Sequence, residues 1–220
     1  MAARGSYAKG VAKREEILAT ALDVIARNGY GRASIRELAA AVGLSQAGLL
    51  HYFSSKEELF AEILRARDDV DRGIFVESDD ATEATDAPGP ASDGEAEAAA
   101  PTPTIEGYRR LIRHNADVPG LVQLYVNLSA EATDPNHPAH AYFRERYSVF
   151  REAAARGIRR AQTVGEVSPD VDPEIAATLL LALADGLQTQ WLMDPSIDMG
   201  EHIDAFLRRL RRTAPPERGT

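Results

Sequence analysis

The chain is predicted to be all-α, and three observations carry that prediction. Apolar residues recur at three- and four-residue spacing through most of its 220 residues. Helix-starting and helix-stopping residues bracket those stretches, and no run alternates apolar with polar as a half-buried strand would. The architecture expected is an N-terminal helix-turn-helix three-helix bundle followed by a C-terminal helical domain.

The elements follow in order. Residues 1–10 read as a flexible basic arm carrying Arg4 and Lys9. From Val11 to Asn28 a helix puts Ile17, Leu18, Ala21, Leu22 and Ile25 on one face, with Gly29 as its stop. Ser34 and Glu37 form an S-x-x-E capping box, in which hydroxyl and carboxylate satisfy amides that a helix start leaves open. Ile35, Leu38, Ala39 and Val42 then recur at helical spacing, and Gly43 supplies a left-handed stop where a missing Cβ costs least. Two residues later Ser45 caps a second short helix through about Tyr52. Ser55 and Glu58 make another capping box and open a third helix, with Leu59, Phe60, Ile63 and Leu64 apolar. Residues 11–54 thus form the helix-turn-helix domain and 55–72 a connecting helix.

Residues 77–104 turn to Ala, Asp, Glu, Pro, Thr, Ser and Gly, with no aromatic. Such a segment buries too little apolar area to offset its ordering entropy, so it reads as an acidic disordered insertion. Helical sequence resumes at Ile105. Tyr108, Leu111 and Ile112 mark a helix to about Asp117, and Pro119 opens another. Pro138 is expected in the first turn of a long helix through Val164. Asp172-Pro173-Glu174 combines a cap, a first-turn proline and a dipole-favourable acid ahead of a helix to Met193. Asp198 and Glu201 start a last helix that ends in Arg208, Arg209, Arg211 and Arg212. Residues 105–212 are therefore a second helical domain, and 213–220 a flexible tail.

Charge is distributed unevenly. The net charge of −9 argues against DNA only as a sum. Met1–Lys56 holds eight bases (Arg4, Lys9, Lys13, Arg14, Arg27, Arg32, Arg36, Lys56) against four acids, whereas Gly73–Tyr108 holds nine acids and no base. The end bearing the short helices is basic, and local charge governs a nucleic-acid contact. The absence of cysteine excludes a disulfide framework and thiolate zinc sites. The longest apolar run, Ile175–Ala184, is about half of the roughly 20 residues a membrane span needs. With no apolar N-terminal stretch of the secretory kind, a cytoplasmic protein without membrane contact is expected. No nucleophile, histidine and acid stand in a motif context, and no Gly-rich phosphate loop follows a strand, so an enzyme is not expected. His137 and His140 have metal-ligand spacing, but Pro138 lies between them and helix capping explains them better. No metal or cofactor is expected.

The stretch Ser34–Leu64 is helix, tight glycine turn, short helix, the pattern whose second helix enters the DNA major groove. Its residues Ser34-Ile35-Arg36-Glu37-Leu38-Ala39, Val42-Gly43-Leu44-Ser45 and Tyr52-Phe53-Ser54-Ser55-Lys56-Glu57-Glu58-Leu59 resemble the DNA-binding segment of the TetR family of one-component transcriptional regulators. Leu50 departs from it, standing where many members carry tyrosine. In Ser45–Tyr52 the non-core positions are Gln46, Ala47, Gly48 and His51, small or hydrogen-bonding and without acids. Small residues allow close approach to the groove floor, Gln pairs with adenine and Ala touches a thymine methyl. Tyr52, Lys56, Ser34 and Arg36 are expected at the phosphates, which position without reading sequence. Lys13 and Arg14 are read equally as phosphate neighbours or as ordinary solvated charges.

The second domain resembles the ligand-sensing and dimerising domain of the same family, through Glu131–Pro138 and Ala184–Leu192. The resemblance implies a homodimer, with Leu179, Leu183, Gly186 and Leu187 of one helix and Phe206 and Leu210 of the last at the interface; the other reading of the Leu179–Trp191 stripe is intramolecular core, and part of each is expected. Polar or aromatic residues on apolar faces are the candidate lining of an effector site: Gln123, Tyr125, Asn127, Phe143, Tyr147, Phe150, Gln188 and Trp191. The function expected is a homodimeric repressor of a palindromic double-stranded DNA operator, released by a small apolar or weakly polar organic effector. The alternatives are a DNA-binding regulator that senses a protein partner or nothing, and a small-molecule enzyme with a vestigial DNA module.

Overall fold

The computed structural model describes residues 2–30, 33–76 and 105–211; the expectations for 77–104 and for the tail from 213 lie outside them. Among the described residues there are nine helices: α1 (Ala2–Asn28), α2 (Ile35–Ala41), α3 (Gln46–Leu50), α4 (Lys56–Val76), α5 (Ile105–Asn115), α6 (Pro119–Glu131), α7 (His140–Thr163), α8 (Pro173–Met193) and α9 (Met199–Leu210). The β-structure among them is one isolated antiparallel bridge, Val167 with Arg211. The chain is all-α, as expected.

Two helix starts differ from the sequence reading. Helix α1 begins at Ala2, so the backbone expected as an arm is helical; Ala2, Ala3, Ala8 and Lys9 are strong helix formers that outweigh Gly5 and Gly10. Helix α7 begins at His140, because the residues ahead of it make a turn of their own. The Asp134 carboxylate accepts from the Asn136 amide (2.9 Å), His137 Nδ1 accepts from the Ala139 amide (3.2 Å), and His140 Nδ1 meets the Ala132 carbonyl (2.8 Å). Pro138 therefore sits inside a turn closed by the His140 amide on the His137 carbonyl (2.9 Å), two residues ahead of the helix. The α8 start is as read, with Asp172 Oδ1 accepting from Glu174 N (2.9 Å) and Ile175 N (3.1 Å).

The chain divides into two compact units, Met1–Asp71 with His114–Arg146, and Arg72–Arg113 with Tyr147–Thr220. The first does not stop at the expected boundary, because α6 packs on α1. A Cβ built on Gly120 of α6 would stand 2.2 Å from the Ile25 carbonyl oxygen and 2.8 Å from the Gly29 Cα. Only glycine allows that approach. Ile17, Ile25, Leu38, Leu49, Leu59 and Ile63 are fully enclosed in this unit, each contributing about 1.5–3 kcal/mol relative to exposure. Tyr30 meets Phe60 edge-on at 5.6 Å between centroids.

The same unit buries a charged cluster. Arg67, Asp68 and Asp71 of α4 and Asn115 are all buried. Arg67 donates to Asn115 Oδ1 and pairs with Asp71 (3.4 Å). Asp68 accepts from Tyr142 Oη (2.7 Å) and, on both oxygens, from Arg146 Nε (3.0 and 3.1 Å). Arg146 lies 4.7 Å from the Tyr125 ring centroid. Two positive and two negative side chains make the cluster neutral, the condition under which buried charge is tolerated. Burial pushes the Asp71 carboxyl up against the pull of Arg67, and raises the Tyr142 phenol with Asp68 adding to it.

In the second unit one core joins Tyr108, Leu111 and Ile112 of α5, Leu180, Leu181, Ala184 and Leu187 of α8, and Met199, Ile203 and Leu207 of α9. A smaller one gathers Ala155, Ile158, Ala161, Val167, Ala176 and Ala177.

Candidate nucleic-acid interface

The helix-turn-helix is held by its caps. Ser34 Oγ accepts from the Glu37 amide (3.2 Å), and Glu37 Oε2 accepts from the Ser34 amide (3.1 Å) and hydroxyl (2.9 Å). Gly43 turns the chain at φ +69°, and the Leu44 amide bonds back to the Ala39 carbonyl at 2.8 Å. Ser45 Oγ then accepts from the Gly48 amide at 3.0 Å, starting α3. With five residues, α3 is too short to hold itself. Leu49, fully enclosed, anchors it from one side, and Phe53 is buried just beyond it.

The opposite side of α3 is uncovered. Ser45, Gln46, Ala47 and His51 are exposed, Leu50 is 39% exposed, and Gly48 and Tyr52 are half-buried. Ser34 and Arg36 are exposed at the start of α2, and Lys56 is exposed in the first turn of α4 with its Nζ 5.1 Å from the Phe60 ring centroid. No acid stands on α3, and the neighbouring carboxylates of Glu37 and Glu58 are engaged in caps. A surface of amide, methyl, imidazole and exposed cations is suited to base edges flanked by phosphates.

Two details escape local sequence reading. The Ser55 hydroxyl accepts from the Glu58 amide (3.0 Å) as a capping box requires, but the Glu58 carboxylate reaches the Ser54 amide (2.6 Å) and hydroxyl, one residue further back. That hydrogen bond from Ser54, with Arg14 beside it, holds the Glu58 carboxyl below its usual range. Arg14 is no solvated charge. Its Nη1 donates to the Tyr52 carbonyl (2.5 Å), its Nη2 lies 3.5 Å from Glu58 and 3.3 Å from Glu62, and its guanidinium sits 4.3 Å from the Phe53 ring centroid. These partners are 38 to 48 residues away in sequence, which no local pattern reveals. Lys13 pairs with Glu16 at 2.8 Å on the surface.

Comparison with known proteins decides the family. Residues 17–63 match the family model of bacterial regulatory proteins, tetR family, and residues 110–213 match that of the BetI-type transcriptional repressor C-terminal domain. The chain belongs to the TetR family. It is a DNA-binding transcriptional regulator. It is similar to the transcriptional repressor AcnR of Corynebacterium diphtheriae, 25% identical over 208 residues, 93% of this chain and 94% of that one. The regulator UidR of Escherichia coli is 26% identical over 174 residues, 79% of each chain. Among solved structures, a transcriptional regulator from Saccharomonospora viridis in complex with choline aligns with a TM-score of 0.63 at 27% identity, covering 88% of this chain and 94% of that one.

The residues expected to serve the TetR sensing domain divide between the two units. In the first, Tyr125 and Phe143 are buried with ring centroids 5.5 Å apart. Gln123 and Asn127 are exposed on the outer side of α6, where Asn127 Nδ2 donates to the Gln123 carbonyl (2.9 Å). In the second, Gln188 is buried, Tyr147 donates to Asp185 (2.6 Å), and Tyr147, Phe150 and Trp191 pack partly buried against the core. None of the eight lines the open cleft of about 400 Å³ beside α5, α7 and α9. That cleft gathers Arg109, Arg160 and Arg211 over Ala161, Val167 and Leu207, with Glu106 and Glu166 on the same rim. Arg109 is already paired with Asp204 (2.5 Å) and Glu106 (3.2 Å).

The residues expected at a dimer contact also separate. Leu187 is 4% exposed inside the chain's own core, and Leu183, Phe206 and Leu210 pack partly buried against it. Leu179 is 52% exposed. It shares the outer face of α8 with Ile175 (60%) and Met193 (81%), four and fourteen residues away, close to whole numbers of turns. A Cβ on Gly186 would meet nothing within 4 Å.

Proposed function

We propose that this TetR-family regulator is a homodimeric repressor that binds a palindromic operator and is released from it by a small organic effector, apolar or weakly polar. The observation that carries the dimer is the outer face of α8, where Ile175 and Leu179, one turn apart, and Met193 near the far end stand exposed as an interrupted apolar stripe. A second copy related by two-fold symmetry covers such a stripe with itself, and two symmetric reading heads call for a symmetric DNA site. The bases are read by Gln46, Ala47, Gly48 and His51, and the phosphates are met by Ser34, Arg36, Ser45, Tyr52 and Lys56.

Release is a population shift. The effector binds more tightly to a form of the dimer whose heads no longer fit adjacent major grooves, and about 1.4 kcal/mol of differential binding lowers operator affinity tenfold. Tyr125 and Phe143 in one unit, and separately Tyr147, Phe150, Gln188 and Trp191 in the other, each offer apolar surface with a few polar atoms, so each set is a candidate effector site by itself. The choline held by the Saccharomonospora viridis regulator makes that cation a first compound to try. No cofactor, membrane contact or catalytic step enters this mechanism, which operates in the cytoplasm where the DNA is.

The test has two arms. Selection from random duplex DNA yields the bound sequence, which is expected to be an inverted repeat; a single unrepeated site overturns the dimeric reading. Choline and a panel of apolar metabolites are then titrated against the protein–operator complex. Release by one of them supports the effector, and release only by a purified partner protein replaces it.

A further inference from the structure

We infer that Arg14 is a positioning residue for operator reading: from α1 it fixes the C-terminal end of α3, and it makes no phosphate contact. The inference rests on the DNA-reading role of α3. A helix of five residues cannot set its own direction, and its N-terminal end is already fixed by the Ser45 cap. Its other end runs out at His51 and Tyr52, where the Tyr52 carbonyl accepts from Arg14 at 2.5 Å. The same guanidinium stacks on the buried Phe53 ring at 4.3 Å and reaches Glu58 and Glu62 of α4. One planar group thereby ties α1, the end of α3 and the first turns of α4 at a single point.

The geometry requires arginine. A guanidinium offers donors in a rigid fork and a flat face for stacking, whereas an ammonium is a point charge on a flexible stem. Lysine at position 14 retains the charge near Glu58 and Glu62 but cannot stack on Phe53 and hold the Tyr52 carbonyl with the same fork. The donors of Arg14 are directed at protein partners, so its charge is spent inside the head. Direct readout is sensitive to small shifts of the reading helix, because each base contact depends on hydrogen-bond geometry.

The experiment uses the full-length protein with its selected operator and a random duplex of equal length, each titrated over a range of salt. Wild-type protein must first prefer the operator; without that preference it is α3 readout that fails, whatever Arg14 does. R14K is expected to lower operator affinity about tenfold with little change on the random duplex, and to leave the salt slope unchanged. A mere loss of folded protein would weaken both duplexes alike and leave their affinity ratio intact, so the ratio is the deciding readout. Unchanged operator preference in R14K overturns the inference. So does an equal loss on both duplexes with a slope reduced by about one in R14A, the behaviour of a phosphate contact. Should R14K melt too low to titrate, E62Q carries the test, since it weakens the hold of α4 on the fork while Arg14 and the Ser54–Glu58 cap remain. A narrowed operator-to-random ratio in that variant supports the inference, and an unchanged ratio overturns it.

Discussion

Among the described residues, the outer faces of α3 and α8 are both uncovered, and they are chemically opposite. The outer face of α3 shows Gln46, Ala47, Leu50 and His51 on a helix of five residues held by caps and neighbours. The outer face of α8 shows Ile175, Leu179 and Met193 on a helix of 21 residues that carries much of its own unit's core on the other side. A short capped helix with hydrogen-bonding side chains suits a polar, charged, repetitive partner. A long rigid helix with an apolar stripe suits a partner that is itself apolar, where hydrophobic burial drives association. What separates them is which side of the helix is already used, and sequence periodicity alone does not say which side that is.

The largest effects come from the sides already in use. Leu187→Asp places an unpaired charge in the α8 core and is expected to cost about 3–5 kcal/mol or to abolish folding, read by thermal melting. Asp68→Ala strips Arg146 and Tyr142 of their shared carboxylate and is expected to cost a similar amount, about 3–5 kcal/mol. Neither depends on DNA. Folded, stable Leu187→Asp monomers would reverse the assignment of the two sides of α8.

Leu179→Asp is expected to do the opposite: the chain's own core stays intact and melting falls only by what the partner copy contributed, while self-association measured by sedimentation weakens by at least about a hundredfold. Retention of a tight dimer in that variant would move the contact elsewhere. On α3 the expected effects are smaller. Gln46→Ala and His51→Ala should each cost about 1–3 kcal/mol at operator sequences and relax preference at the bases they touch. Lys56→Ala should weaken all DNA alike and lower the salt slope by about one. Equal behaviour of the three variants would mean that α3 does not read bases.

The smallest expected effect concerns pH. Because the Glu58 carboxyl is held below its usual range, chiefly by Ser54, its contribution to stability is complete above that range. It is lost as acid carries the pH down through the folded value. The stability difference between wild type and Glu58→Gln should therefore shrink between about pH 5 and 3. A difference that stays constant there would detach Glu58 from the cap.

Local chemistry was legible and long-range chemistry was not. The Ser34–Glu37 box, the left-handed Gly43 and the Ser45 cap each involve residues within three positions of one another, so sequence spacing specifies them. Arg14 and the Asp68–Arg146 pair join residues 38 to 78 apart, and each of these charges taken alone reads as a solvated one. Leu187 and Leu179 carry the same hydrophobic value, so only packing tells core from uncovered face. The arginines of the α5, α7 and α9 cleft are likewise scattered along the chain and become a group only on folding. The arm reading of 2–10 failed for a different reason: two glycines suggested an arm, and their alanine and lysine neighbours prevailed.

The contact of Gly120 with Ile25 and Gly29 joins α6 to α1 through main chain on both sides. A joint of side chains can be tightened or loosened one methyl at a time, but this one has no intermediate setting: any residue larger than glycine pries the two backbones apart. It follows that the reading head is not a detachable cassette. Grafting residues 1–56 of this protein onto another regulator's body would transplant half of a seam, and the recipient would have to supply a glycine, at the right height on its own helix, to close it.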